Sequence, residues 1–170
     1  MTHTIAFLLS FFTTTPAHAA DFGADCPIRP RTSCEGAELQ DARLGGANLS
    51  SASLSHANFT GADLSGANLR HASLDATRLS EANLAGAVLS AANLTRANLR
   101  YANLRGARLH DADLSGADLR GAVLEGADLR GAKLMDTRLE GANLRGADLR
   151  GAQFDSAALA NADIEGCRGC

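Results

Sequence analysis

The chain has 170 residues, 17 of them Gly, with one Tyr, no Trp and a formal net charge of −3. That length and composition fit a single domain, and so few aromatic residues suit a narrow interior. The near balance of acidic and basic residues excludes a surface whose net field alone selects its partner.

The first residues differ from all that follow. Ile5 to Phe12 is a short apolar run, and Ala17-His18-Ala19 ahead of Ala20 has the small-x-small form of a cleavage site. Residues 1–19 therefore read as a secretory signal peptide, with a periplasmic or secreted destination. No Lys or Arg precedes Ile5, which departs from the usual signal. The competing reading is an apolar tail docked on the domain that follows. The run is too short to span a bilayer, so no stable membrane insertion of the mature chain is expected. Residues 20–36 contain Cys26, Pro27, Pro30 and Cys34 and read as an N-terminal cap.

From Leu39 the chain becomes periodic. Every fifth residue to Ile164 is Leu, except Phe59, Phe154 and Ile164 itself, which gives 26 consecutive pentads. Two positions earlier stands Ala in 24 of them and Thr at Thr77 and Thr137. A helix cannot bury this pattern, because five residues advance the side chain by roughly 500°. A straight strand cannot either, because an odd step changes face. A chain that turns a corner every five residues can, with Leu119, Leu124, Leu129 and Leu134 all pointing inward. Such a coil, repeated, is a solenoid.

Strings such as Ala62-Asp63-Leu64-Ser65-Gly66 and Ala97-Asn98-Leu99-Arg100-Tyr101 resemble the A-(D/N)-L-x-x unit of pentapeptide-repeat proteins. The resemblance spans residues 37–166. It implies an all-β fold, a right-handed quadrilateral β-helix with four pentads per coil. Twenty-six pentads make about 6.5 coils, and at a strand spacing of about 4.8 Å the rod is roughly 30 Å long. In that geometry Asn83 stacks on Asn103 and Asn48 on Asn68, as amide ladders do. Buried hydroxyls at Thr77 and Thr137 need a carbonyl each. Gly, last in 13 pentads, suits the corners.

The rod also constrains the cysteines. Four permit three pairings, but a disulfide needs Cα atoms within about 7 Å, so no bridge joins the two ends. Cys26–Cys34 is the leading pair. Cys167–Cys170, in the tail 167–170, is the second. Disulfides fit an exported chain. Cys167-Arg168-Gly169-Cys170 reads as a staple rather than a redox or zinc site. A redox C-x-x-C usually opens a helix, and zinc needs four ligands.

Function must lie on the outward residues. At steps of twenty, Arg105, Glu125, Arg145 and Glu165 alternate in sign, and Asp118/Arg120, Asp128/Arg130 and Asp148/Arg150 flank inward leucines. The least balanced column is Arg70, Ser90, His110, Arg130 and Arg150. It is a candidate interaction face for an acidic partner or an anionic polymer, but its neighbours Asp128 and Asp148 oppose strong attraction and favour reading it as a solvated face. His56, His71 and His110 fall on different columns, so no catalytic set and no metal set assembles. No phosphate-binding glycine motif or other cofactor signature occurs.

The favoured reading is an exported, non-catalytic scaffold offering rigid faces to a protein or envelope component, with no nucleic-acid partner. Pentapeptide-repeat relatives often dimerise through their C-terminal coils, and the thin cap after Ile164 implies an end-to-end homodimer here. The alternative is a DNA mimic that engages topoisomerases. It needs a strongly acidic surface, whereas residues 37–166 mix 13 basic with 16 acidic residues, and the signal peptide points elsewhere. An enzyme of unknown type ranks lower, as does ice binding, which wants a regular Thr array.

Overall fold

An Ala-x-Leu unit in extended backbone puts Ala and Leu on one side and the residue between them on the other. The computed structural model, which describes residues 26–155 and 159–170, builds its pentads this way. Every residue in the Leu slot from Leu39 to Leu149 is buried, Phe59 included. From Ala52 to Ala147 the residue two positions earlier is buried too. The expected signal peptide, 1–19, and residues 20–25 of the cap lie outside the described residues.

The register decides the number of sides. Asn98 pairs in parallel with Arg78 on one neighbour and Asp118 on the other, and every such pair among the described residues joins positions twenty apart. Twenty residues are four pentads, so the coil has four sides. The five-residue period alone does not choose that number.

One pentad shows how the backbone is satisfied. The N–H of Asn98 donates to Thr77 O at 2.9 Å, on the preceding coil. Leu99 and Tyr101 donate to Asp118 O and Arg120 O, at 2.8 and 3.1 Å, on the following one. Ala102 donates back to Leu99 O at 3.1 Å, closing the corner. That leaves the Arg100 N–H, which takes no backbone partner. The Asn98 side chain accepts it, Oδ1 at 3.2 Å.

This is why Asn or Asp precedes Leu: a short side-chain acceptor completes the turn. The same contact occurs at Asn48, Asp63, Asn68, Asn83, Asn103 and Asp148, among others. The expected amide ladder forms in one place. Asn103 Nδ2 donates to Asn83 Oδ1 and Asn83 Nδ2 to Asp63 Oδ1, both at 3.1 Å. Asn48 and Asn68 pair only through their backbones, each accepting at its Oδ1 the N–H two residues on. Replacing Asn103 with Ala removes both kinds of bond, and unfolding in urea is expected to show a loss of about 1 kcal/mol. No loss at all would mean that water serves the Arg105 N–H equally well.

The corner residue takes positive φ whether or not it is Gly: Ala76 has φ 53°, Tyr101 58° and Asp136 57°. Among the described residues twelve that are not Gly adopt this left-handed state, so the ladder outweighs its local cost of roughly 1–2 kcal/mol per residue. At Gly121 smallness matters as well. The ring of Tyr101 leans over it, and a Cβ there would lie 2.5 Å from Tyr101 Cε1.

Inside, the two threonines find carbonyls in different ways. Thr77 Oγ1 donates to Leu74 O at 2.7 Å, within its own corner, and Thr137 Oγ1 to Leu114 O at 2.9 Å, one coil back.

The ladder begins at Ser33, paired with Ser53. Thr32 and Cys34 therefore occupy an Ala slot and a Leu slot, buried at 5% and 3% exposure, ahead of the boundary read at residue 37. At the other end Gly141 N–H bonds Asn161 O rather than residue 160, and the register recovers where Asn143 pairs with Asp163. The tail continues the ladder, with Arg168 paired to Asp148.

Candidate interaction faces

With inner residues packed and backbone groups paired, chemistry is left to outward side chains held in columns. The candidate column Arg70, His110, Arg130, Arg150 is real as a line but not as a free positive stripe. Arg130 folds back onto its own pentad, Nε to Asp128 Oδ1 and Nη2 to Oδ2, both at 2.7 Å. Arg150 grips Asp148 in the same way at 2.9 and 2.6 Å. His110 Nδ1 lies 2.9 Å from Arg130 O, and its Nε2 lies 3.1 Å from Asp111. Arg70 stands two coils away, beyond Ser90, so the structure brings three of the four together.

The acids respond to these grips. Hydrogen bonds from the Arg150 side chain hold the Asp148 carboxyl down to about 2, against a smaller desolvation effect. The Asp118 and Asp128 carboxyls are lowered for the same reason by Arg120 and Arg130. These pairs stay ionised well into acid, but they are exposed enough to contribute little to folding. On the next face Arg105 pairs with Glu125 and Arg145 with Glu165, as the alternating ladder predicts.

Two surface features are completed by an Arg from the neighbouring column, Arg96 in one and Arg100 in the other. Asp75 receives Arg96 through Nε and Nη2 and Thr95 through Oγ1, at 2.6–3.2 Å. The separations of twenty and twenty-one residues were the available signal. Tyr101, 60% exposed, stands at a corner with Arg100 5.6 Å over its ring. Its position twenty residues before Gly121 was the clue.

Cys26 and Cys34 are bonded, Cα atoms 5.2 Å apart, and so are Cys167 and Cys170, at 6.0 Å. Among the described residues no group of three or more His, Cys, Asp or Glu is placed to hold a metal ion. No helix there is long and apolar enough to cross a membrane.

The pentapeptide repeats family model matches in eight copies, over residues 32–70, 72–111, 107–135 and 132–168. The chain belongs to the pentapeptide-repeat family. Among solved pentapeptide-repeat proteins it is similar to Rfr23 from the cyanobacterium Cyanothece 51142. Identity there is 31%, over 80% of this chain and 90% of that one, with a TM-score of 0.53. It is also similar to HetL from Nostoc sp. Strain PCC 7120, which is involved in regulating heterocyst differentiation. Identity is 29%, over 82% and 83% of the two chains, at a TM-score of 0.48. QnrB1, a plasmid-mediated fluoroquinolone resistance protein, is 20% identical over 82% and 86%, at 0.47. No curated protein matches the chain. Solved pentapeptide-repeat proteins are right-handed four-sided β-helices, in keeping with the twenty-residue register.

Proposed function

We propose that this pentapeptide-repeat protein is an exported, non-catalytic scaffold, a rod of about 6.5 coils that presents rigid faces to a protein or envelope component. The observation that carries the reading is the single ladder beneath every face. Outward residues such as Asn98, Asp118 and Arg138 sit on consecutive paired positions, so a partner meets a surface whose spacing is already fixed and loses little entropy in ordering it. The bonded cysteines near both ends support passage to an oxidising compartment. The C-terminal coil leaves Ile164 42% exposed, which supports end-to-end pairing of two copies. Mimicry of DNA is the weaker reading, because Asp118, Asp128 and Asp148 are each neutralised by an Arg two residues away.

The test is capture from envelope extracts with immobilised mature protein, beside a form carrying Arg130→Glu and Arg150→Glu and another carrying Arg100→Glu and Tyr101→Ala. A partner should bind the parent and lose about tenfold in affinity, or roughly 1.4 kcal/mol, with one of the two forms only. The secreted chain should begin at Ala20. Retention in the cytoplasm with residue 1 intact, or equal binding by all three forms, would overturn the reading.

A further inference from the structure

We infer that the C-terminal Cys167–Cys170 bond is a thiol–disulfide exchange site, the labile member of a pair whose other member, Cys26–Cys34, is built to last. The inference does not depend on the proposed function.

The two bonds differ in access. Cys26 and Cys34 are buried, at 6% and 3% exposure, and Cys34 fills a Leu slot inside the first coil. Cys170 is exposed and Cys167 half-buried in an Ala slot. Exchange requires a thiolate to reach a disulfide sulfur, and only the C-terminal bond offers one.

The two bonds also differ in what they hold. Residue 169 falls in a Leu slot, yet it is Gly, with φ 79°. A Cβ there would lie 2.8 Å from Arg150 N and 2.9 Å from Arg150 Cα. No inward side chain fits, because the backbone itself lies across the end of the Leu149 column. Residues 167–170 thus form a hook. Its ladder contacts are Arg168 N–H to Ala147 O at 2.9 Å and Leu149 N–H to Arg168 O at 2.7 Å. Leu149 beneath it is only 1% exposed, while Ile164 on the uncovered neighbouring side is 42% exposed. The disulfide closes the hook.

The reaction balances with a dithiol, small or protein-borne. Its thiolate attacks Cys170 Sγ, the S–S bond breaks, and Cys167 leaves as a thiolate that takes up a proton. The second thiol of the reagent then attacks the mixed disulfide and frees Cys170. The hook gains two electrons and two protons, and the dithiol becomes a disulfide. Cys167 and Cys170 are here a substrate for exchange, since neither stands at a helix terminus that would make a low-pKa catalytic thiol of it.

The experiment titrates the intact mature protein with dithiothreitol under native conditions, traps free thiols by alkylation and locates them by mass spectrometry. In parallel it follows amide exchange. Cys167 and Cys170 should be labelled at reductant levels at least about tenfold below those that open Cys26–Cys34. The Leu149 and Arg168 amides should then exchange about tenfold faster or more, with Leu99 and Leu104 unchanged. The Cys167→Ala/Cys170→Ala form should show the same two fast amides without reductant. Simultaneous reduction of both bonds would overturn the inference. So would Leu149 and Arg168 protection that is the same in the oxidised, reduced and doubly substituted proteins.

Discussion

Replacing Leu99 with Ala is expected to lower the free energy of unfolding by about 3 kcal/mol, within the 2–5 kcal/mol range of such truncations. Leu99 has no exposed surface and lies between Leu79 and Leu119 on its column. A cavity costs least where surrounding structure can collapse into it. Here the walls are tied, with Leu79 N–H to Asn98 O at 2.7 Å below and Leu99 N–H to Asp118 O at 2.8 Å above, so little collapse is available. Urea unfolding of the Leu99→Ala form beside Arg100→Ala, a change on the outer surface, measures the effect. A loss under about 1 kcal/mol would mean that the tube narrows to fill the gap, against the rigid-wall account. Because neighbouring coils hold one another, the loss should appear first as faster exchange in the coils flanking Leu99.

Removing the N-terminal disulfide, by Cys26→Ala with Cys34→Ala, should be the other large effect, about 3 kcal/mol. Part is the lost cross-link, which spans eight positions. Part is packing, because Cys34 stands where later pentads place Leu, with Thr32 in the Ala slot beside it, Oγ1 3.5 Å from Cys34 Sγ. The first coil in turn shields the second: Ser53 N–H donates to Thr32 O at 2.8 Å and Cys34 N–H to Ser53 O at 2.8 Å. Amide exchange should therefore quicken at Cys34 and Ser53 and stay slow at Asn98 and Leu99. Uniform loosening along the rod would contradict a cap that acts on one end. Removal of the C-terminal bond should be milder in unfolding assays, since a four-residue loop restrains the unfolded chain least.

Much of this molecule is visible in its spacing. Leu at every fifth residue and Ala two before it state which atoms go inward, and the corner follows because no regular element buries such a set. The Asp-Leu-Arg triplets also show that acid and base lie side by side, as Asp128 and Arg130 do. Other features are hidden because they depend on which coil lies above which. Asp75 with Thr95 and Arg96 is legible only once the coil length is known. The acceptor role of Asn98 toward Arg100 N–H is local, yet it emerges only when the other four N–H groups of the pentad are seen to be taken. The hook at Gly169 breaks the rule that the Leu slot points inward, and its cause is contact with the backbone of Leu149 and Arg150, more than eighteen residues earlier in the chain.

By itself the sequence determined the inward set, the corner and the confinement of cysteine to the two ends, because these follow from side-chain size and from a five-residue period that helix and strand both reject. Tertiary structure fixed the twenty-residue register that the five-residue period leaves open, the carbonyl one coil back that Thr137 takes, the meeting of Asp75 with Thr95 and Arg96, and the closure of the last coil. Each of those depends on atoms brought together by hydrogen bonds along the rod axis, and one copy of the repeat carries no record of its neighbour.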